Sequence, residues 1–358
     1  MEFIYDVPVI GILVQLVVYL VDILPVIGPT IMVLATPIAL GALCGFMNER
    51  SGVVNIGIEG MMLTAAFVGW FVASIIHQAM PASPEGPLGI TFPLAMGLLG
   101  AILAGMLVSA LHAWLSISVR ANQIISGTII NIAALGLTGY LNILLSSTQP
   151  PTAGSFDRWV PPSVITEIPI IGWIFKMFLQ QGPIAMSVLI FVVALQVLLY
   201  RSRWGLRTRA VGEHPRAAET VGIDVIRLRY RNVILGGIFA GLAGGFLTLE
   251  ATNGFQSGMT VGRGFIALAA LIFGRWTPVG AFLAALLFAV SGAIGTAVRI
   301  APPTGELAGL GDLLVPIPGQ VFAALPYIVT IIVLAGVVGR SVPPAADGLP
   351  YERESTGA

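Results

Sequence analysis

Glu59 stands at the start of a long apolar run, four residues after Asn55, within the stretch Asn48-Glu-Arg-Ser-Gly-Val-Val-Asn-Ile-Gly-Ile-Glu-Gly60. A carboxylate at the centre of a membrane helix costs about 2.5–3.5 kcal/mol on insertion scales and less near an interface, so Glu59 should face a bundle interior and have a partner. The spacing predicts that Asn55 and Glu59 project from one face of a helix. Two roles fit them: bracing or capping a broken helix, and touching a polar substrate. Gly52, Gly57 and Gly60 would let the backbone bend or helices approach closely.

Two other sets combine polar side chains with apolar surroundings. Asn122, Gln123, Ser126, Thr128 and Asn131 cluster at the start of one apolar run. Such side chains bond neighbouring helices more often than ligands, and Asn131 is the path candidate among them. Glu250, Thr252 and Asn253 end another run, ahead of Gly254-Phe-Gln-Ser-Gly258 and Gly262-Arg-Gly264. Glu250, Asn253 and Phe255 suit a polar, ring-containing ligand, while the glycines suit a flexible gate equally well.

The stretch Arg207-Thr-Arg-Ala-Val-Gly-Glu-His-Pro-Arg-Ala-Ala-Glu-Thr-Val-Gly-Ile-Asp224 reads as a capped mini-helix. Pro215 fits its first turn and Gly222 its left-handed stop, leaving about seven residues, roughly 10 Å. Ala217, Ala218 and Val221 would form a small apolar face. So short a helix does not hold itself together. The region Gly212, Glu213, Pro215, Arg216, Ala217, Ala218 and Gly222 therefore reads as a docking element better than as an inert loop.

Several chemistries are excluded. Lys176 is the only lysine, so no phosphate-binding loop of the G-x-x-x-x-G-K-[ST] kind exists. One cysteine, Cys44, and three scattered histidines, His77, His112 and His214, offer no disulfide and no metal-ligand spacing. Gly309-Leu-Gly-Asp312 resembles an intramembrane protease motif, but it sits in a stretch that reads as a Pro/Gly-rich loop. No catalytic constellation, metal or cofactor is expected, and 17 basic residues against 17 acidic ones argue against a nucleic-acid surface.

The elements that must position these residues are membrane helices. The 358 residues are 56% hydrophobic and 9% charged, against about 25% charged in a soluble domain. Unbroken apolar runs of about 20 residues predict an all-α, polytopic transmembrane bundle. Eight clear spans cover 30–46, 56–76, 94–115, 123–145, 184–200, 232–251, 276–298 and 321–338. Two more, 7–24 and the half-span 264–274, would raise the count to ten. Residues 1–9 carry Glu2 and Asp6 and no basic residue, the reverse of a secretion signal.

Residues 201–231 hold eight of the seventeen basic side chains and are expected in the cytoplasm. Residues 146–182 then lie outside, as a partly ordered cap with an interfacial helix near 168–178. The chain is thus read as an N-terminal apolar helix (1–29), a membrane domain (30–340) and a disordered cytoplasmic tail (341–358).

Ala35-Thr-Pro-Ile-Ala-Leu-Gly-Ala-Leu, Glu49-Arg-Ser-Gly-Val-Val-Asn-Ile-Gly-Ile-Glu-Gly60 and Arg209-Ala-Val-Gly-Glu-His-Pro-Arg-Ala-Ala-Glu-Thr-Val-Gly-Ile223 resemble the permease subunits of bacterial ABC importers. The family is the branched-chain amino acid and ribose permease superfamily, and the nearest branch is that of simple-sugar and nucleoside permeases. The resemblance covers about 35–338. It implies a pair of permeases, often two different chains, in the bacterial inner membrane, an ATPase below and a substrate-binding protein or lipoprotein outside. It also implies that 209–223 is a coupling helix seated in the ATPase and that Asn55 to Gly60 belong to a broken second helix bordering the path. The competing class is an ion-coupled secondary transporter, with Glu59 or Glu250 as its coupling site.

Overall fold

The computed structural model describes residues 8–146, 152–168, 171–332 and 341–352. Among them there are helices and turns and no strand. In chain order the helices are α1 (Pro8–Glu49), α2 (Ile58–Ala79), α3 (Phe92–Ala113), α4 (Gln123–Ser146), α5 (Ser163–Thr166), α6 (Ile171–Leu179) and α7 (Pro183–Arg201). Then come α8 (Arg203–Glu213), α9 (Pro215–Thr220), α10 (Val225–Phe246), α11 (Arg263–Phe273), α12 (Pro278–Ile300), α13 (Ala308–Leu314) and α14 (Gly319–Ile332). Wider π turns extend α3 through Trp114–Ser118 and α10 through Leu247–Ala251.

Among the described residues, seven helices are long and apolar enough to cross a membrane, and eight spans result if α13 and α14, bent by 93°, count as one. The segments 7–24 and 30–46 are not separate: from Pro8 onward both lie in the single 42-residue α1, through Pro25 and Pro29. Proline is tolerated inside a membrane helix because neighbouring groups re-satisfy the freed backbone. The half-span 264–274 corresponds to the 11-residue α11, about 16 Å and too short to cross alone. Residues 333–338 of the last expected span lie outside the described residues, and Gly309 to Asp312 sit in α13 instead of a loop.

The chain divides into two compact units. The first comprises Met1–Ala35, Arg158–Gln181 and Leu286–Val337. Its core sets one stripe of α1, Tyr19, Ile23, Ile27 and Ile31, beside the small stripe Ala289, Ala293 and Ala297 of α12, closed by Met177 and Phe322. Both stripes repeat every four residues, so each helix turns one continuous face inward. Within this unit the Gln181 amide donates to the Pro29 and Met177 carbonyls at 3.0 and 2.9 Å.

The second unit, Thr36–Asp157, Gly182–Ala285 and Val338–Ala358, carries the candidate site residues. Its centre is the packing of α2, α3 and α10. Gly237, Gly241 and Gly245 of α10 recur every four residues, and so do Gly97, Ala101 and Gly105 of α3. A Cβ at Gly105 would lie 2.4 Å from the Gly237 carbonyl oxygen, and one at Gly241 would lie 2.5 Å from the Ile102 Cα. Backbones this close gain van der Waals contact that lipid cannot supply, and for that reason small residues line such contacts. The Ser109 hydroxyl, donating to the Val233 carbonyl at 2.6 Å, joins the same two helices.

Candidate functional site

The stretch between α1 and α2 is a genuine break. Residues 50–57 turn, with Gly52 at φ +86°, and α2 begins only at Ile58. Asn55 therefore does not share a helix face with Glu59. Its side-chain oxygen accepts the Gly57 N–H at 2.9 Å instead. A short polar side chain that can close such a local turn competes with helix, and here it wins.

Glu59, in the first turn of α2, reaches the start of α11. Its two oxygens accept the N–H groups of Gly262 and Gly264 at 2.7 and 2.6 Å. The first N–H groups of a helix have no partner within it, and the helix dipole favours a negative charge there. The carboxylate thus acts as a cap supplied from another helix. Gly264 must be glycine, because a Cβ there would lie 2.6 Å from the Glu59 backbone.

Asn131 of α4 ties down the same break. Its oxygen accepts the Gly60 N–H at 2.7 Å and its amide donates to the Ile56 carbonyl at 2.9 Å. Gln123 accepts the Val54 N–H at 2.7 Å, and the buried His112 ring lies 2.9 Å from the Val54 carbonyl and 3.1 Å from the Ser126 hydroxyl. Of the polar cluster at the start of α4, Gln123 and Asn131 hold residues 54–60 directly and Ser126 through His112, while Asn122 and Thr128 bond to α4 itself. His112 had no visible role in the sequence, since its partners Ser126 and Val54 are 14 and 58 positions away.

Glu250 repeats the device on α7. Its oxygens accept the Ile184 and Ala185 N–H groups at 2.7 and 3.1 Å. Just beyond, Asn253 is exposed, while Phe255 is buried edge-on to Phe67 at 5.2 Å and beside Trp70 at 6.1 Å. The six path candidates make contacts of different kinds. Four of them, Asn55, Glu59, Asn131 and Glu250, set helix ends, and Phe255 belongs to an aromatic cluster.

At the arginine-rich end, α9 is the expected mini-helix with Pro215 in its first turn. Gly222, at φ +83°, ends it, with the Gly222 N–H on the Glu219 carbonyl and the Ile223 N–H on the Ala218 carbonyl. Its apolar residues do not form one face. Ala218 is buried with Val211, Val225, Leu228 and Tyr351, whereas Ala217 and Val221 are exposed beside the exposed Arg216. α9 uses one alanine to pack on its own protein and presents the other outward. α8 was not expected from the sequence, although Ser202 caps it by accepting the Gly205 N–H at 3.0 Å.

Residues 341–352 are packed and not a disordered tail; 353–358 lie outside the described residues. The Ala346 N–H donates to the Gly212 carbonyl at 2.8 Å and the Ala345 N–H to the Glu213 carboxylate at 3.2 Å. Buried Arg229 donates to the Leu349 carbonyl at 3.0 Å and faces the Tyr351 ring, whose hydroxyl meets Glu219. Gly212 and Glu213 are thus occupied by this strap and by Arg50, which pairs with Glu213 at 3.7 Å. Burial, reinforced by Glu49 and opposed by Arg229, pushes the Asp347 carboxyl up to about 8. Proline at 343, 344 and 350 hid the strap, since such composition reads as linker. A cleft of about 740 Å³ lies between the strap and the outer side of α9, lined by Pro215, Arg216 and Ala217 on one wall and Leu349 and Pro350 on the other.

The family described as branched-chain amino acid transport system, permease component, matches residues 29–335. The chain belongs to it. The permease component is 38% identical to the guanosine ABC transporter permease protein NupQ of Bacillus subtilis over 335 residues, 93% of this chain and 98% of the relative. It is 34% identical to the nucleoside ABC transporter permease protein NupC of Lactococcus lactis, covering 92% of this chain and 98% of that one. It is also 34% identical to the putative glucose ABC transporter permease protein TsgC13 of Haloferax volcanii, over 86% and 90% of the two chains. No solved structure matches. As a permease component of an ABC transport system, the chain is a multi-pass membrane protein that carries transport and not catalysis, and works with an ATPase and a substrate-binding partner.

Proposed function

We propose that this permease component forms half of the translocation path of an ATP-driven importer for a nucleoside or simple sugar. It sits in a bacterial inner membrane beside a second, different permease. The names of the nucleoside and sugar relatives support the substrate class. α9 takes the ATPase, through exposed Arg216, Ala217 and Val221, while Gly212, Glu213, Ala218 and Gly222 hold its shape. The observation that carries this reading is that α9, too short to be stable alone, is clamped by its own protein on the Ala218 side and left open on the other. Its position among eight basic residues supports a cytoplasmic side for α9, and with it for the strap, by the positive-inside rule. A binding protein or lipoprotein then delivers substrate at the end bearing Asn253.

In this reading Asn55, Glu59, Asn131 and Glu250 shape the path by fixing broken helix ends, and the mouth beside Asn253 and the Phe67, Trp70, Phe255 cluster meets the substrate. An ion-coupled carrier is the weaker reading, because Glu59 and Glu250 each already accept two backbone N–H groups. The test is uptake of labelled nucleosides and sugars by cells carrying the permease with and without its ATPase. Uptake of one of these classes that requires the ATPase supports the proposal, and uptake by the chain alone on a proton or sodium gradient overturns it.

A further inference from the structure

A cationic cavity opens beside the start of α10 and runs into an apolar groove. The cavity, about 500 Å³, is lined by Arg207 of α8 and by Arg227 and Arg231 of α10, with Trp204 at its edge. One carboxylate, Asp224, shares this lining, and it accepts the Arg227 N–H at 3.0 Å as the cap of α10. Three guanidiniums thus face one carboxylate, and among the described residues none of the three forms an ion pair. The groove, about 350 Å³, shares Trp204 and Arg231 with the cavity and continues between Leu195 and Leu198 of α7 and Leu235 and Ile238 of α10.

The geometry points to a site for one anionic phospholipid, with its phosphate among Arg207, Arg227 and Arg231 and an acyl chain along Leu235 and Ile238. Arg227, Arg231, Leu235 and Ile238 follow one another at four, four and three residues, a single stripe down α10 from its polar end into a candidate span. From Arg231 to Ile238 this stripe covers about 10 Å, the depth from headgroup into hydrocarbon. α7 and α10, whose leucines and Ile238 form its walls, are spans by length and composition, so the groove lies where lipid tails are. Trp204 stands where the two halves meet, an apolar ring with a polar edge at the water boundary. Its indole N–H donates to Asn232 at 2.8 Å, which fixes the ring as the hinge of the site. A soluble anion would use the arginines alone, whereas a phospholipid uses both halves.

The test is performed on the assembled transporter in bilayers of phosphatidylcholine containing a minor share of phosphatidylglycerol, by counting the lipids that stay bound on extraction. Wild type should retain phosphatidylglycerol selectively. Arg231→Gln should lower that retention roughly fivefold, the effect of one basic side chain at a membrane surface, and the triple change of Arg207, Arg227 and Arg231 to Gln should abolish it. Leu235→Trp, or Leu198→Trp from the opposite wall, should expel the lipid with every arginine intact. Selectivity that survives the triple change overturns the site. So does displacement by inorganic phosphate combined with indifference to both tryptophans, which would mark a free-anion pocket. Loss of the ATPase from arginine variants in lipid-free detergent, with no change in retained lipid, would assign the cavity to an acidic protein surface and overturn it as well.

Discussion

Glu59 commits both oxygens to the first N–H groups of α11, so removing it leaves two partly buried donors unanswered. Hydrogen bonds to a charged group contribute about 1.5–3 kcal/mol each and do not add fully, so Glu59→Ala should cost about 2–4 kcal/mol. Glu59→Gln keeps one acceptor and should fall between, with the protein folded and assembled but transporting less. Thermal unfolding and uptake measured together check this, and wild-type values for both variants would remove the bracing role. Asp347 carries a pH dependence. Its carboxyl is raised to about 8 by burial and by Glu49, against Arg229. The contribution of Asp347 to the strap's stability is therefore fully present below the ordinary carboxylate range and runs down with rising pH until it is gone above about 8. Hydrogen exchange of residues 344–351 should accelerate between about pH 4 and 8 in wild type and show a flatter pH response in Asp347→Asn once intrinsic exchange is subtracted.

At the scale of elements, α9 separates two neighbouring alanines by function. Ala217→Trp should leave the fold intact and weaken ATPase co-purification, because overpacking a fitted contact costs about 1–3 kcal/mol, roughly five- to 150-fold in affinity. Ala218→Trp should instead disrupt the cluster with Val211, Val225, Leu228 and Tyr351 and lower stability without the ATPase present. Gly222→Val meets open space but a left-handed backbone, and should cost about 1–2 kcal/mol by fraying the end of α9. If Ala217→Trp and Gly222→Val both bind ATPase and stimulate hydrolysis like wild type, α9 is a plain connection. The strap acts on the same element from the other side. Truncation before Ser341 removes its bonds to Gly212, Glu213 and Arg229 and should loosen α8 and α9 together, as read by faster hydrogen exchange over 203–222.

For the whole molecule, the energy source must be on another chain. With Lys176 as the only lysine, the purified permease should neither bind nor hydrolyse ATP, and hydrolysis that persists without any partner would refute this.

Membrane class, helical architecture and the mini-helix were legible because they depend on local quantities. Apolar runs must be helical where no water can satisfy the backbone, and Pro215 and Gly222 mark a helix start and stop whatever surrounds them. The two glycine-spaced stripes of α3 and α10 were also present in the sequence, but a stripe says that something packs there and not what. Partner choice was decided only in three dimensions. Glu59 could have touched substrate or capped a helix until Gly262 and Gly264, more than 200 residues away in sequence, came to its oxygens. Asn55 left the helix face because its own side chain could close a turn at Gly57. Pro25 and Pro29 lie inside one continuous α1, where propensity alone predicted a stop. The strap at 341–352 reads as linker by composition, and it became structure because buried Arg229 and the Gly212 carbonyl needed partners that only a distant segment could supply.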